Sequence, residues 1–253
     1  MSLPSSDSSA LRPDYSVVIP FYNEAANAGA LIEEINVTMK ILRGDYEVLM
    51  VNDGSTDTTL EILTRLAEKH PQCRLLNLVP NRGQAGALFA GLKAATAPLV
   101  IPMDGDGQNC PADIPGLLAK LGEADMIVGV RQNRQDTWVR RKVSRLANAV
   151  RGRILGDGMT DSGCALKIMR QEVISSFIPI RTLYSFMPAM AVAAGFKVIE
   201  APVTHRARGG GKSNYGLQVF LWRPLLDLMG VWWFSQRRFK EFDSTSTING
   251  KTS

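Results

Sequence analysis

Two carboxylates in a glycine-rich loop are the residues of this sequence best suited to carry out chemistry. Asp104 and Asp106 are separated by one glycine and followed by Gly107 and Gln108, directly after an apolar run at 98–103. Glycines let the loop turn tightly, so that both carboxylates can converge on one hard cation such as Mg²⁺, which accepts phosphate oxygens as further ligands. A surface turn is the alternative, because Asp-Gly pairs are common in turns. At the end of a buried strand we favour the cation site.

Two earlier loops carry residues that can bind a nucleotide. Asp53 is interpreted mainly as a ligand-binding carboxylate, and Asp57 mainly as a cap of the following helix. Tyr22 offers a ring that can stack on a base, and Glu24 offers a carboxylate that can accept the N–H groups of the base. The alternative is that Asn23 or Glu24 simply begins a helix, and the two interpretations are compatible.

The segments between these loops predict an α/β fold with a doubly wound, Rossmann-like sheet. Continuously apolar runs, typical of strands covered on both faces, lie at 15–20, 46–52, 73–79, 98–103 and 124–130. Helix-like segments alternate with them at 24–42, 57–69, 83–95 and 113–121. This alternation predicts a mainly parallel sheet with helices on both faces. Because ligands bind at the carboxyl ends of such strands, the polar loops predict one composite site.

Basic residues are concentrated in the second half of the chain. The 253 residues have a net charge of +5, and the segment 131–153 holds eight Lys/Arg and one Asp. The composition, 45% hydrophobic and 21% charged, excludes a disordered, collagenous or disulfide-stapled chain. With the basic loop at 205–216, the segment can bind an anionic ligand. The alternative is that most of these charges cover the solvent face of an amphipathic helix at 138–155.

The C-terminal part combines apolar and basic residues. Three of the four tryptophans lie at or beyond residue 222, in an apolar segment that polar residues interrupt before it reaches the length of a spanning helix. Such a helix suits a membrane interface with anionic lipids. Packing on the rest of the chain or on a second subunit, giving a homo-oligomer, is the alternative. Three widely spaced cysteines and no apolar run of signal-peptide length predict a cytoplasmic protein.

Six motifs in order give the sequence a family resemblance. VVIPFYNE, VNDGSTD, NRGQAGALFAGLKAA and MDGDGQ resemble the nucleotide-sugar domain of family 2 (GT-A) glycosyltransferases, and DSGCALKIMR and RARGGGKSNYG are similar to its polyprenyl-phosphate branch, typified by dolichol-phosphate mannosyltransferase. The resemblance covers about 14–235. It implies an inverting transfer of one sugar from a GDP- or UDP-sugar to a dolichyl or undecaprenyl phosphate at the cytosolic membrane face, with no nucleic-acid partner.

The resemblance also implies the residues of each site. The donor nucleotide sugar would be bound by Pro20, Tyr22, Asn23, Glu24, Asp53, Arg82, Gln84 and Asp104. Mg²⁺ or Mn²⁺ would be held by Asp104, Asp106 and Gln108. The acceptor phosphate would be bound by Arg141, Arg151, Arg153, Ser162, Arg208, Lys212 and Ser213. Asp104, Asp106 and Arg208 would be catalytic.

Two departures from the family pattern concern the acceptor side. Cys164 follows Ser-Gly where the family usually has an aromatic residue, and Asn214 stands where it often has lysine. Two other functions remain open: transfer to a glycan or soluble acceptor, and non-catalytic binding of a nucleotide sugar or lipid phosphate.

Together the patterns divide the chain into four segments. We predict a flexible N-terminus at 1–13, a GT-A catalytic domain at 14–215, an amphipathic membrane-interface or dimer helix at 216–240, and a disordered tail at 241–253.

Overall fold

A seven-stranded sheet organises the computed structural model, which describes residues 12–132, 149–207 and 219–238. The strands are β1 (Tyr15–Phe21), β2 (Tyr46–Asn52), β3 (Cys73–Asn77), β4 (Leu99–Pro102), β5 (Met126–Arg131), β6 (Lys167–Arg170) and β7 (Val198–Val203). Their spatial order is β3-β2-β1-β4-β6-β5-β7. All neighbours pair in parallel except β6, which runs antiparallel to both β4 and β5. The predicted mixed, mainly parallel sheet is therefore confirmed.

Helices cover both faces of the sheet, as predicted. They are α1 (Ala25–Met39), α2 (Thr59–Lys69), α3 (Gly83–Ala94), α4 (Ile114–Leu118), α5 (Leu183–Ala193) and α6 (Val219–Arg237), and residues 149–155 form a further helical segment. The apolar side chains of α1, α2 and α4 pack on one face of the sheet, and those of α3, α5 and α6 pack on the other. Successive β1 residues such as Val17 and Val18 enter opposite layers, which explains why the strand sequences are continuously apolar.

Two elements are shorter than the sequence predicts. The helix expected at 113–121 is reduced to the five residues of α4, flanked by 3₁₀ turns at Pro111–Asp113 and Leu121–Glu123. Gly116 and Gly122 weaken a longer helix, because glycine loses more backbone entropy than other residues when it becomes helical. The strand expected at 73–79 ends at Asn77, three residues before Pro80, which has no N–H to donate to a sheet.

Helix α6 is attached to the domain along one side. Leu228 and Val231 are buried against the apolar layer that contains Leu183, and the Thr182 hydroxyl donates to an Asp227 carboxylate oxygen at 2.6 Å. Apolar side chains elsewhere on the helix are exposed, namely Leu225, Leu226, Met229, Trp232, Trp233 and Phe234. Within the described ranges, no helix has the length and apolar character needed to cross a membrane.

Candidate functional site

The site-forming loops meet where the strand order reverses. From β1 the chain proceeds through β2 and β3 to one side, and β4 returns to the other side of β1. The carboxyl ends of β1 and β4 therefore flank the topological switch point at which open α/β sheets bind ligands. The backbone N–H of Asp53 donates to Phe21 O at 2.9 Å, so the end of β2 is attached to the same edge.

Asn23 joins the loops after β1 and β2 into one wall. Its φ of 54° lies in the left-handed region, which asparagine adopts more readily than most residues. The side-chain carbonyl accepts from Thr56 N at 2.8 Å, and the backbone N–H donates to Ser55 Oγ at 3.1 Å. The neighbouring Glu24 is buried and accepts from Asn27 Nδ2 at 2.6 Å, whereas Tyr22 is 38% exposed.

Asp57 serves both helices that begin at this wall. One carboxylate oxygen accepts from Thr59 N at 2.9 Å in the first turn of α2, and the other accepts from Ala25 N at 3.4 Å at the start of α1. The predicted capping role of Asp57 is therefore confirmed, since both bonds satisfy helix-terminal N–H groups.

Asp53 has one carboxylate oxygen to spare. The residue is 1% exposed, and its Oδ1 accepts from the backbone N–H of Arg82 at 2.7 Å. Among the described residues its Oδ2 has no hydrogen-bond partner, and burial raises the pKa of Asp53. A buried acceptor without a donor costs about 1–3 kcal/mol. An N–H donor from a ligand would offset that cost. Arg82 itself is exposed and contributes its backbone to this contact.

Asp104 and Asp106 lie together in the loop after β4. Asp104 is half-buried and accepts from Gln84 Nε2 at 2.7 Å, while Asp106 accepts from Gln108 N at 3.0 Å. Burial, followed by the charge of Asp106, raises the pKa of Asp104 to about 6. Two carboxylates that repel each other in this way suit a divalent cation, which would relieve the repulsion. Gln84, predicted to bind the donor, contacts Asp104, a proposed metal ligand.

Asp104 and Asp106 are the two carboxylates of the candidate cation site. In the described ranges no group of three or more His, Cys, Asp or Glu residues is placed to hold a metal ion. This fits a cation that completes its coordination with ligand phosphate oxygens and water, as Mg²⁺ commonly does. The predicted third ligand, Gln108, directs its side-chain N–H at Arg206 O, 3.4 Å away.

Gly105 sets how closely the carboxylate loop approaches β1. A Cβ atom at this position would lie 2.7 Å from Phe21 Cδ1 and 2.8 Å from Pro20 O. Pro20, predicted to line the donor site, is buried beneath this contact. The absence of a side chain therefore brings Asp104 and Asp106 against the end of β1.

We expect Gly105→Ala to lower the free energy of unfolding by about 1–3 kcal/mol, since the methyl group must displace a buried ring and a backbone carbonyl. Equilibrium urea denaturation measures the change. Gly116→Ala is the matched control, because a Cβ there meets nothing within 4 Å, and it should not destabilise the protein. Equal stability of Gly105→Ala and the wild type would contradict the close approach.

The segment at 204–207 is fastened beside the carboxylate loop. Arg206 N donates to Gln108 O at 3.0 Å, and His205 pairs with Asn109 in an isolated bridge. The Arg206 guanidinium binds both carboxylate oxygens of Glu34 at 2.8 and 2.9 Å. Arg208, Lys212 and Ser213, which the sequence predicts to bind the acceptor phosphate, lie outside the described residues.

The residues predicted to bind the acceptor phosphate differ in their exposure to solvent. Arg153 is exposed, Ser162 is buried, and Arg141 lies outside the described residues. Arg151 is buried, and its guanidinium forms an ion pair with Asp157. This ion pair neutralises the charge of Arg151 inside the fold, which disfavours the predicted contact of Arg151 with the acceptor phosphate.

Arg131 and Glu200 fix the loop that contains Ser162. The Arg131 guanidinium donates to both oxygens of Asp161 at 2.6 and 2.8 Å. Glu200, on β7, accepts from the backbone N–H groups of Thr160 and Asp161 at 2.7 and 3.0 Å. The loop is thus held between Arg131, at the end of β5, and Glu200, in the middle of β7.

Two residues near the carboxylate pair are absent from the sequence predictions. Lys167 is completely buried at the start of β6, and its Nζ lies 5.7 Å from the centroid of the Tyr184 ring. The Tyr184 hydroxyl interacts with the Asp104 carboxylate. A lysine in the run CALKIMR gives no signal of burial, because its environment depends on the insertion of β6 between β4 and β5.

The fold is a doubly wound α/β domain, and two carboxylates, Asp104 and Asp106, lie at the switch point of its sheet. The sequence profile described as "Glycosyl transferase family 2" matches residues 16–177. The chain belongs to this glycosyltransferase family, and the resemblance found in the sequence is confirmed.

Relatives of the chain act on polyprenyl phosphates according to their names. The chain is 40% identical over 203 residues to undecaprenyl-phosphate 4-deoxy-4-formamido-L-arabinose transferase of Enterobacter sp. (strain 638). The aligned region covers 79% of this chain and 62% of that protein. The chain is also 37% identical over 227 residues to dodecaprenyl-phosphate galacturonate synthase of Rhizobium johnstonii, covering 87% of this chain and 67% of that protein. The chain therefore spans about two thirds of the length of these relatives.

Solved structures share the fold at low sequence identity. A mannosyltransferase from Pyrobaculum calidifontis, in complex with GDP-Man and Mn²⁺, has a TM-score of 0.63 at 22% identity and covers 91% of this chain and 66% of that chain. Glucosyl-3-phosphoglycerate synthase from Mycobacterium tuberculosis, in complex with Mn²⁺, UDP-Glc and phosphoglyceric acid, has a TM-score of 0.64 at 19% identity. The match covers 92% of this chain and 82% of that chain.

Proposed function

We propose that this chain transfers one sugar from a nucleoside-diphosphate sugar to a polyprenyl phosphate. The observation that carries the proposal is the pair Asp104 and Asp106 at the switch point between β1 and β4, in a member of family 2. The names of the polyprenyl-phosphate relatives support the acceptor class. The donor class is supported by the structural neighbours, which were solved with nucleotide sugars.

The nucleotide would bind along the wall formed by the loops after β1 and β2. Tyr22 has exposed ring surface on which a base can stack, and the spare oxygen of Asp53 can accept an N–H of the base. Asn23 and Glu24 keep this wall in shape through their hydrogen bonds.

Asp104 and Asp106 would hold a divalent cation, Mg²⁺ or Mn²⁺, on the diphosphate. When bound, the cation supplies positive charge to the departing diphosphate. Gln84 orients Asp104 through its 2.7 Å hydrogen bond, and Asp106 fixes its own loop through Gln108 N. These hydrogen bonds hold both carboxylates in place in the loop that follows β4.

The acceptor phosphate would need cations rather than a general base. A phosphate monoester has a second pKa of about 6 and therefore arrives as an anion at neutral pH. Arg153 is exposed, and Arg141, Arg208, Lys212 and Ser213 remain candidates from the sequence. Attack from the face opposite the diphosphate would invert the anomeric centre.

A transfer assay tests the proposal. The purified chain is incubated with radiolabelled GDP- and UDP-sugars and Mn²⁺, with and without undecaprenyl or dolichyl phosphate. We expect label in the organic phase only when the polyprenyl phosphate is present. Transfer to a glycan or to water that is independent of the lipid would contradict the proposed acceptor.

We further propose that α6 rests on the membrane interface. Its exposed side chains include Trp232, Trp233 and Phe234, and two arginines follow at the end of the helix. Arg237 lies 5.3 Å from the Trp233 ring centroid. Aromatic rings next to basic residues suit the headgroup region of a bilayer with anionic lipids.

Replacing Trp232 and Trp233 together with serine is expected to reduce binding to vesicles of phosphatidylcholine and phosphatidylglycerol by about tenfold or more, since each large apolar side chain transferred contributes about 1.5–3 kcal/mol. Vesicle co-sedimentation measures the bound fraction. Ile41→Ser is the control, because Ile41 is an exposed apolar residue outside α6. Unchanged vesicle binding together with a smaller mass on size-exclusion chromatography would show that the face contacts a second subunit instead.

A further inference from the structure

Lys167 is a buried cation that the proposed reaction does not use directly. It is 0% exposed, and its Nζ donates to the carbonyl oxygen of Cys164. An ammonium group loses much favourable hydration when it is buried, so such a group needs compensation from its surroundings. The partners around it are a backbone carbonyl, an aromatic ring and nearby carboxylates rather than solvent.

The strand order brings Lys167 close to the proposed cation site. Lys167 is the first residue of the reversed strand β6, which lies next to β4, and it is paired with Val128 in the middle of β5. Met169 of β6 is paired with Val100 of β4, so the start of β6 lies beside the carboxyl end of β4. The carboxylate loop begins two residues after β4 ends. Tyr184 connects the two: its ring lies 5.7 Å from Lys167 Nζ, and its hydroxyl interacts with Asp104.

Lys167 also interacts electrostatically with Asp104. The two charges attract each other, as do those of Lys167 and Asp161, whereas Arg131 repels Lys167. Burial lowers the pKa of Lys167 to about 8, which still leaves the side chain mainly cationic at neutral pH.

We propose that Lys167 is a positioning residue that sets the cation preference of Asp104 and Asp106. Its fixed positive charge makes this pair of carboxylates bind a divalent cation in complex with a diphosphate in preference to the free cation. This rests on the proposed function, because it assigns a nucleoside diphosphate to the site. A free Mn²⁺ ion is repelled by Lys167. Its complex with a nucleoside diphosphate carries a net negative charge and is attracted.

The physical consequence is a pair of effects with opposite signs. Removing the charge of Lys167 should strengthen binding of free Mn²⁺ and weaken binding of the manganese–nucleotide complex, because Coulomb energy between a fixed charge and a ligand follows the ligand's net charge. A role confined to packing would change both affinities in the same direction or leave both unchanged.

Lys167→Gln is the test variant, since the amide can still donate to Cys164 O but carries no charge. We expect it to bind free Mn²⁺ about fivefold or more tightly than the wild type, measured by titration calorimetry at neutral pH without nucleotide. We expect it to bind the manganese complex of GDP or UDP, whichever the wild type binds more tightly, about fivefold or more weakly. Lys167→Met provides a second uncharged variant.

Lys93→Met is the matched control. Lys93 Nζ also lies 5.7 Å from an aromatic ring, that of Phe89, but it is exposed at the end of α3. Both affinities should stay within about twofold of the wild type, since exposed charges are screened. Thermal denaturation establishes that each variant is folded before its affinities are compared.

Equal shifts of both affinities in Lys167→Gln, no shift in either, or no Mn²⁺ binding by any of the proteins would overturn the proposal. These outcomes are independent of sugar transfer to a lipid. A chain that fails the transfer assay but shows the opposed shifts would refute the proposed acceptor and support the role of Lys167.

Discussion

Asp106→Asn is expected to reduce sugar transfer by about 100-fold or more while the free energy of unfolding stays within about 0.5 kcal/mol of the wild type. Asp106 is half-buried, and its carboxylate accepts a hydrogen bond from the backbone N–H of Gln108 in the same loop. The amide oxygen of asparagine can keep that bond. The substitution removes one of two charges that would hold the cation, and it also removes the repulsion that helps raise the pKa of Asp104.

Two measurements separate catalysis from folding in this variant. Initial rates of transfer are determined across a range of Mn²⁺ concentrations, and stability is followed by urea denaturation. Glu68→Gln, an exposed carboxylate on α2, serves as the control for loss of one negative charge and should keep full activity. Full activity of Asp106→Asn at every Mn²⁺ concentration would refute the assignment of the cation site.

The strand ends explain why much of the site was predictable from the sequence. Continuously apolar runs such as 46–52 and 98–103 identify buried strands, and in a parallel sheet their carboxyl ends share one edge. The loops that follow β1, β2 and β4 therefore had to converge, and the structure brings Asn23, Asp53 and Asp104 to that edge. The capping role of Asp57 followed from local hydrogen-bond chemistry alone.

Long-range partners explain what was not predictable. The run CALKIMR contains β6, whose reversed direction and place between β4 and β5 depend on pairing energies spread over the whole sheet. The burial of Lys167 follows from that placement. Gln84 was assigned to the donor, and its bond to Asp104 depends on the relative position of α3 and β4, which local pattern does not specify.

Arg151 shows the same limit on the basic segment. The helical pattern at 138–155 left open that most of its charges face solvent, which is a local property. It did not identify Asp157, which lies beyond a turn at Gly156, where φ is +67°. Whether an arginine binds a ligand or a buried carboxylate depends on that turn, and this makes the ion pair a useful target for mutation.

Asp157→Asn is expected to destabilise the protein by about 3–5 kcal/mol, because removal of one partner leaves a buried charge uncompensated. The side chains of Asp157 and Arg151 are 0% and 7% exposed. Arg151 Nη2 also donates to Met159 O at 3.2 Å, and Asp157 accepts from Met159 N at 3.2 Å, so the pair closes the turn onto the helical segment at 149–155. Urea denaturation gives the free energy of unfolding.

Glu33→Gln is the matched control, since Glu33 forms an exposed ion pair with Lys69, and the expected loss of stability is small. The double variant Arg151→Met with Asp157→Leu should recover most of the stability lost by Asp157→Asn, because a buried ion pair can be replaced by apolar side chains at little cost. If the ion pair of Arg151 and Asp157 has only a structural role, the double variant should show this recovery. Its transfer rate should also depend on polyprenyl phosphate concentration as in the wild type. If Arg151 binds the acceptor phosphate instead, Asp157→Asn should leave stability nearly intact, and the double variant should need far more lipid for half-maximal transfer.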